Sequence, residues 1–132
     1  MWENCGVVRS EEKLKEGLQK IDSIKESMKS LDVRPDSEGY EDLMLAFDLE
    51  ASIMSAEATI LSAINRKESR GAHQRSDFKE TSDKFNLNFN IKLEDNSKLM
   101  VESEKLKPMS ESLSATIKET KTITDFDGML LE

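Results

Sequence analysis

Leu14, Leu18, Ile21, Ile24, Met28 and Leu31 recur at steps of three and four through an otherwise charged stretch. That spacing predicts a helix with one apolar stripe. Ser10 followed by Glu11 and Glu12 marks its start, a hydroxyl able to cap the first amides and then acids in the positive first turn. Gly17 interrupts the stripe and lowers helix propensity by roughly 1 kcal/mol relative to alanine, so a close neighbouring backbone is expected there. Arg34-Pro35 closes the element, because a residue before proline avoids helical angles.

A second start falls at Asp36 or Ser37, with Gly39 moving the firm helix towards Tyr40. Two apolar faces follow. Leu45, Leu49, Ile53, Ala56, Ile60 and Ile64 form one, and Phe47, Ala51, Met54, Ala58 and Leu61 the other. A helix apolar on two sides is expected to be packed on two sides, and alanines along it allow close approach. This central helix should run to about Lys67. After a polar loop over residues 77–84 the period changes: Leu87, Phe89, Ile91 and Leu93 alternate with Asn86, Asn88, Asn90 and Lys92. Period two predicts a half-buried strand. A turn at residues 94–97 and a return strand over 98–104, with Leu99 and Val101 inward, complete a β-hairpin at about 86–104. Residues 109–132 are polar, with sparse anchors at Leu113, Ile117, Ile123 and Phe126, and read as a tail that is partly helical or irregularly docked.

The chain has 132 residues, 36% apolar and 35% charged, which suits one thin domain with solvated outer faces. A net charge of −8 argues against general affinity for nucleic acid or an anionic membrane surface. Cys5 is the only cysteine, so the chain builds no internal disulfide and no cysteine-based metal or iron–sulfur site by itself. No apolar run is long enough to span a membrane, and the start lacks the layout of a secretory signal. A cytoplasmic setting is expected.

The densest chemistry lies between Ala63 and Phe78. Arg66, Lys67, Arg70 and Arg75 crowd around the single histidine, His73, and Gly71 stands where a helix stop is expected. The cations before Gly71 would complement the negative end of the helix dipole. This predicts a helix C-terminus that turns sharply and presents hydrogen-bond donors to something acidic or to a row of carbonyls. Arg70 and Arg75 can make fork-like bonds to either. Cys5 and His73 could in principle pair as nucleophile and base, but a buried small residue and a structural histidine account for them more simply. Acids between Asp32 and Asp48 do not match a calcium loop, and no glycine-rich phosphate or dinucleotide fingerprint is present.

Two ordered motifs give a resemblance. Arg66-Lys67-Glu68-Ser69-Arg70-Gly71-Ala72-His73-Gln74-Arg75-Ser76-Asp77-Phe78 resembles the segment after the long helix in the C-terminal domain of succinate dehydrogenase and fumarate reductase flavoproteins. L-aspartate oxidases carry a related version. Met1-Trp2-Glu3-Asn4-Cys5-Gly6-Val7-Val8-Arg9 resembles a second hallmark, upstream of that helix, and a looser likeness runs to about Pro108. Lys79 departs from the family's proline after the Asp-aromatic pair, and the tryptophan-containing segment before the hairpin is not evident. The Ala72-His73 version and the hairpin favour the succinate and fumarate enzymes over aspartate oxidase.

The resemblance implies a mainly α fold: an up-and-down, three-helix-bundle-like (spectrin-repeat-like) domain over 1–108 with its first helix truncated, followed by the hairpin and then the tail. Trp2, which such a domain places at the end of a helix, makes the sequence read as a fragment. The parent would interconvert succinate and fumarate through flavin hydride transfer, with FAD held upstream and none in this chain. Partners implied are the flavin-binding and capping domains, and iron–sulfur and membrane-anchor subunits, with the parent peripheral on the cytoplasmic membrane face. Arg66, Glu68, Ser69, Arg70, Gly71, His73, Arg75 and Asp77 are the expected structural and interdomain docking residues; no catalytic, cofactor or metal residue is assigned. A free-standing helical protein-interaction module is the alternative, and a nucleic-acid binder a remoter one. Apolar surface left by the truncated helix would favour self-association.

Overall fold

The computed structural model describes residues 1–34, 40–95 and 98–119. Two long helices carry the architecture, α2 (Glu11–Met28) and α3 (Glu41–Asn65), preceded by a single helical turn, α1 (Trp2–Cys5). β1 (Val8–Arg9) pairs in parallel with β2 (Gln74–Arg75), and β3 (Leu87–Leu93) pairs antiparallel with β4 (Leu99–Lys105). A 3-10 turn at Asp83–Phe85 leads into the hairpin, and α4 (Glu111–Glu119) follows it.

Helix α2 starts as its sequence requires. Ser10 Oγ accepts from the Lys13 amide at 3.3 Å, with Glu11 and Glu12 in the first turn. The helix ends at Met28, short of Arg34-Pro35. Leu31 therefore lies beyond it and is exposed, as is Ile24. Leu14, Gly17 and Ile21 face α3, which runs antiparallel: Gly17 meets the end carrying Ile60, while Lys25 reaches Glu57 at 2.5 Å. The core is Cys5, Leu14, Ile21, Ile53, Ile60 and Ala63, with Leu18, Met28, Leu49, Ala56 and Ile64 against its edge.

Helix α3 is covered on one side over its first half. Leu49 and Ile53 pack on the core, but Phe47 is 66% exposed, and Met44, Leu45 and Met54 are exposed with it. Two-sided packing is thus realised only near Ala58 and Leu61, which are partly buried. The reason is supply: among the described residues α2 and the hairpin are the large elements packed on α3, and together they do not surround it. Asp36, Ser37 and Gly39, the expected start of this helix, lie outside the described residues; Tyr40 is the N-cap, in the left-handed region at φ 56°, without a side-chain cap.

The hairpin pairs Leu87 with Lys105 through Leu93 with Leu99. Its apolar alternation holds from Leu87 to Ile91, but Leu93, expected inward, is exposed, whereas Leu99 is buried. Asn96 and Ser97 of the expected turn lie outside the described residues, as do the tail anchors Ile123 and Phe126. In α4, Leu113 and Ile117 are exposed. No described helix is long and apolar enough to cross a membrane.

Gly17 is the contact point between layers. A Cβ there would lie 3.0 Å from Ile60 Cδ1 and 3.1 Å from Asn4 Cβ, both on buried residues. Alanine would gain about 1 kcal/mol of helix propensity on an open surface. Here Gly17→Ala is expected to lower the thermal midpoint, because the overlap outweighs that gain; a rise on thermal unfolding would show that Asn4 and Ile60 can move aside.

Candidate functional site

The segment after α3 folds inward on the domain. The helix stops at Asn65, not at Lys67, and Arg66 is extended at φ −84°, ψ 93°. The cations therefore lie past the helix, and none occupies its last turn. Gly71 is not the helix stop either. It is the second residue of a tight turn in which the Arg70 amide donates to the His73 carbonyl at 2.8 Å and the His73 amide donates back at 3.0 Å. Its φ of +57° is the left-handed value that such a turn needs at this position.

Arg75 is the centre of the site, 1% exposed. Its Nε and Nη2 donate to the two carboxylate oxygens of Asp77, each at 2.7 Å. Its Nη1 donates to the Ala63 carbonyl at 2.9 Å and more distantly to that of Arg66 at 3.4 Å. The guanidinium also stacks 4.9 Å from the Phe78 ring centroid. A cation thus closes the negative end of α3, where the last carbonyls lack helical partners. Asp77 does the reverse for α2: its Oδ2 accepts from the Glu11 amide at 2.9 Å, placing an anion at that helix's positive end. Arg75 holds the Asp77 carboxyl well below the usual carboxylate range, with the Glu11 amide adding to it.

Glu68 is a second buried node, with no exposed side-chain surface. It accepts from Arg66 Nη1 at 2.6 Å, from Arg70 Nε at 2.9 Å and from the Ser82 amide at 2.8 Å. Arg70 above all, with Ser82 and Arg66, holds its carboxyl down at about 2 despite burial. Ser69 Oγ accepts from the Arg75 amide and donates to the Phe78 carbonyl, both at 2.8 Å. Arg66 reaches the other way, donating to the carbonyls of Phe85 at 2.9 Å and Leu87 at 2.8 Å, which fixes the hairpin entry. Lys67 is exposed and stands outside this network.

His73 lies between fixed donors and acceptors that decide its tautomer. Arg9 Nη1, which can only donate, is 2.7 Å from Nδ1, and the Arg66 carbonyl, which can only accept, is 3.0 Å from Nε2. The ring is therefore neutral, with the proton on Nε2. Burial, and then the nearby charges of Arg9, Arg75 and Arg66, push its pKa down. Both nitrogens are occupied, so no base remains for Cys5, whose thiol burial pushes up. A nucleophile needs the opposite shift.

The structure thus brings all eight expected site residues into one turn, with Glu68, Ser69 and Arg75 enclosed and Arg70 at its rim. Sequence reasoning missed Arg9, Glu11 and Ser82 as partners; Arg9 ended a recognisable motif, which was the available signal. Among the described residues no cluster of His, Cys, Asp or Glu could hold a metal ion.

A family model described as "Fumarate reductase flavoprotein C-term" matches residues 1–122. The chain belongs to this family. An uncharacterised FAD-dependent oxidoreductase of Methanocaldococcus jannaschii is 39% identical over 92 residues, 70% of this chain and 16% of that protein. The fumarate reductase flavoprotein subunit of a Serratia species is 41% identical over 78 residues, 58% of this chain and 13% of that one. The FrdA chain of Escherichia coli quinol fumarate reductase superposes with a TM-score of 0.77 at 28% identity, covering 83% of this chain and 20% of that chain. Mycobacterium smegmatis Sdh1, at 22% identity and a TM-score of 0.73 over 86% of this chain and 20% of its own, shares the fold. The chain corresponds to the C-terminal helical domain and spans a fifth or less of these proteins.

Two measurements test the turn. Arg75→Met strands the Asp77 carboxylate and the end of α3, and should cost about 3–5 kcal/mol in urea unfolding, whereas Lys67→Ala should change stability by no more than about 0.5 kcal/mol. Glu68 binds its proton more weakly when folded than when unfolded. Its contribution is therefore complete above the ordinary value of 4.5 and fades as pH falls towards about 2. Urea midpoints measured across that window should fall with acid, and less steeply in Glu68→Gln.

Proposed function

We propose that this chain is a noncatalytic supporting domain of an FAD-dependent oxidoreductase that interconverts succinate and fumarate, with the flavin held by other parts of the enzyme. The observation that carries the reading is the family match from residue 1 to residue 122, together with superposition on a fifth of a fumarate reductase chain. The geometry agrees with a supporting role, since the chemically capable residues of the turn are tied to each other and to helix ends.

On this reading Glu68, Ser69 and Arg75 act from within, with Asp77 bracing Arg75 from the surface, while Arg70 and Gly71 present the turn to the flavin-binding and capping domains. Arg66 and His73, half-buried, join the inner frame to that rim. Iron–sulfur and membrane-anchor subunits would then meet the assembled enzyme and not this domain alone, leaving it peripheral on the cytoplasmic face of the membrane. The uncovered apolar half of α3, with Met44, Leu45 and Phe47, favours as a second reading a helical interaction module that binds protein through that helix.

Purified chain titrated with FAD should show no change in flavin absorbance and no succinate-dependent dye reduction. A stoichiometric yellow complex would overturn the noncatalytic assignment. A reading frame that continues upstream of Met1 into a flavin-binding domain separates the oxidoreductase reading from the interaction module.

A further inference from the structure

A cleft of about 540 Å³ opens beside the turn, between the last part of α3, the Arg9 side chain and the start of β3. Arg9, Arg66, His73, Thr59, Asn88 and Asn90 stand in its wall, and among the described residues no Asp or Glu does. That composition is unusual for a chain with 27 acidic residues against 19 basic ones.

The charges in the wall are not equally compensated. Arg66 is paired with Glu68, and outside the wall Arg70 shares that carboxylate while Arg75 pairs with Asp77. Arg9 has no carboxylate partner among the described residues. Its Nε donates to the Gly6 carbonyl at 2.6 Å and its Nη1 to His73 Nδ1 at 2.7 Å, which holds the guanidinium plane in place while leaving it a net cation. A half-buried cation with only neutral acceptors pays desolvation without Coulombic return, and an anion beside it would reverse that.

We propose that this cleft receives a single carboxylate group, bound to the Arg9 guanidinium with the Asn88 amide as a neutral donor. Arginine suits a carboxylate through its charged, planar N–H donors, and with Nε on Gly6 and Nη1 on His73 it is Nη2 that faces this task. The group could arrive on a small free molecule or on an acidic side chain of another polypeptide segment, and the chemistry of the cleft is the same for both. Neither case depends on the oxidoreductase assignment, since binding is measured on the chain itself.

The test is an NMR titration of the full chain with acetate in one arm and a short capped aspartyl peptide in the other, at constant ionic strength set with chloride. Saturable shifts of the Arg9 Nε–H and Asn88 side-chain signals are expected. Acetate matching the peptide would identify a free carboxylate as sufficient, and response to the peptide alone would identify a polypeptide-borne one. Arg9→Gln should weaken binding by about tenfold or more, the loss expected for a charge-assisted hydrogen bond. Thr59→Glu puts a competing carboxylate into the wall from an exposed helix position and should abolish binding with the fold intact, so it decides the matter if Arg9→Gln unfolds. Absence of saturable shifts in both arms, or shifts unchanged in Thr59→Glu, would overturn the proposal.

Discussion

Arg75 sits where two antiparallel helices bring opposite dipole ends together, and the domain is arranged around that meeting. α3 ends there with carbonyls pointing outward, and α2 begins there with free amides. A single guanidinium–carboxylate pair serves both, Arg75 on the carbonyl of Ala63 and Asp77 on the amide of Glu11. The fork between them matches planar donors to planar acceptors, so neither charge is left alone in a buried place. Asp77 and Glu11 are 66 positions apart, so the bond is also a long-range fastening of the chain.

From that pair outward, each tie uses up chemistry that could otherwise act on a substrate. The Arg75 amide is held by Ser69, and Ser69 in turn holds Phe78. Glu68 gathers Arg66 and Arg70, and Arg66 reaches the carbonyls of Phe85 and Leu87. The small parallel ladder of β1 and β2 belongs to the same construction, since it lays Arg9 beside Arg75 and within reach of His73. Among the described residues no buried side-chain nitrogen or oxygen lacks a partner. An arrangement so fully satisfied leaves these side chains committed to the shape of the turn.

The apolar surfaces tell a complementary story. The core is narrow, one stripe of α2 against one side of α3, with Cys5 closing its end. Outside it, Trp2 is 86% exposed and the first half of α3 turns Phe47 and Leu45 to solvent.

The sequence by itself determined the features whose causes are local. Ser10 and the acids after it start α2, period-three-and-four spacing marks both helices, and period-two spacing marks the hairpin, because each is a preference written within a few residues. It also carried the two motifs that place the chain in its family. Gly71 was visible as a residue needing the left-handed region, but which structure needed it was not, since a helix stop and a tight turn make the same demand on one residue. Tertiary structure alone decided that the helix ends six positions earlier, at Asn65, and that Arg75 points inwards to pair with Asp77. It alone brought Glu11, Ser82 and Arg9 to the turn, and left Phe47 bare. Those outcomes depend on which distant groups are present to accept a hydrogen bond or cover a face, and no short window of sequence contains that information.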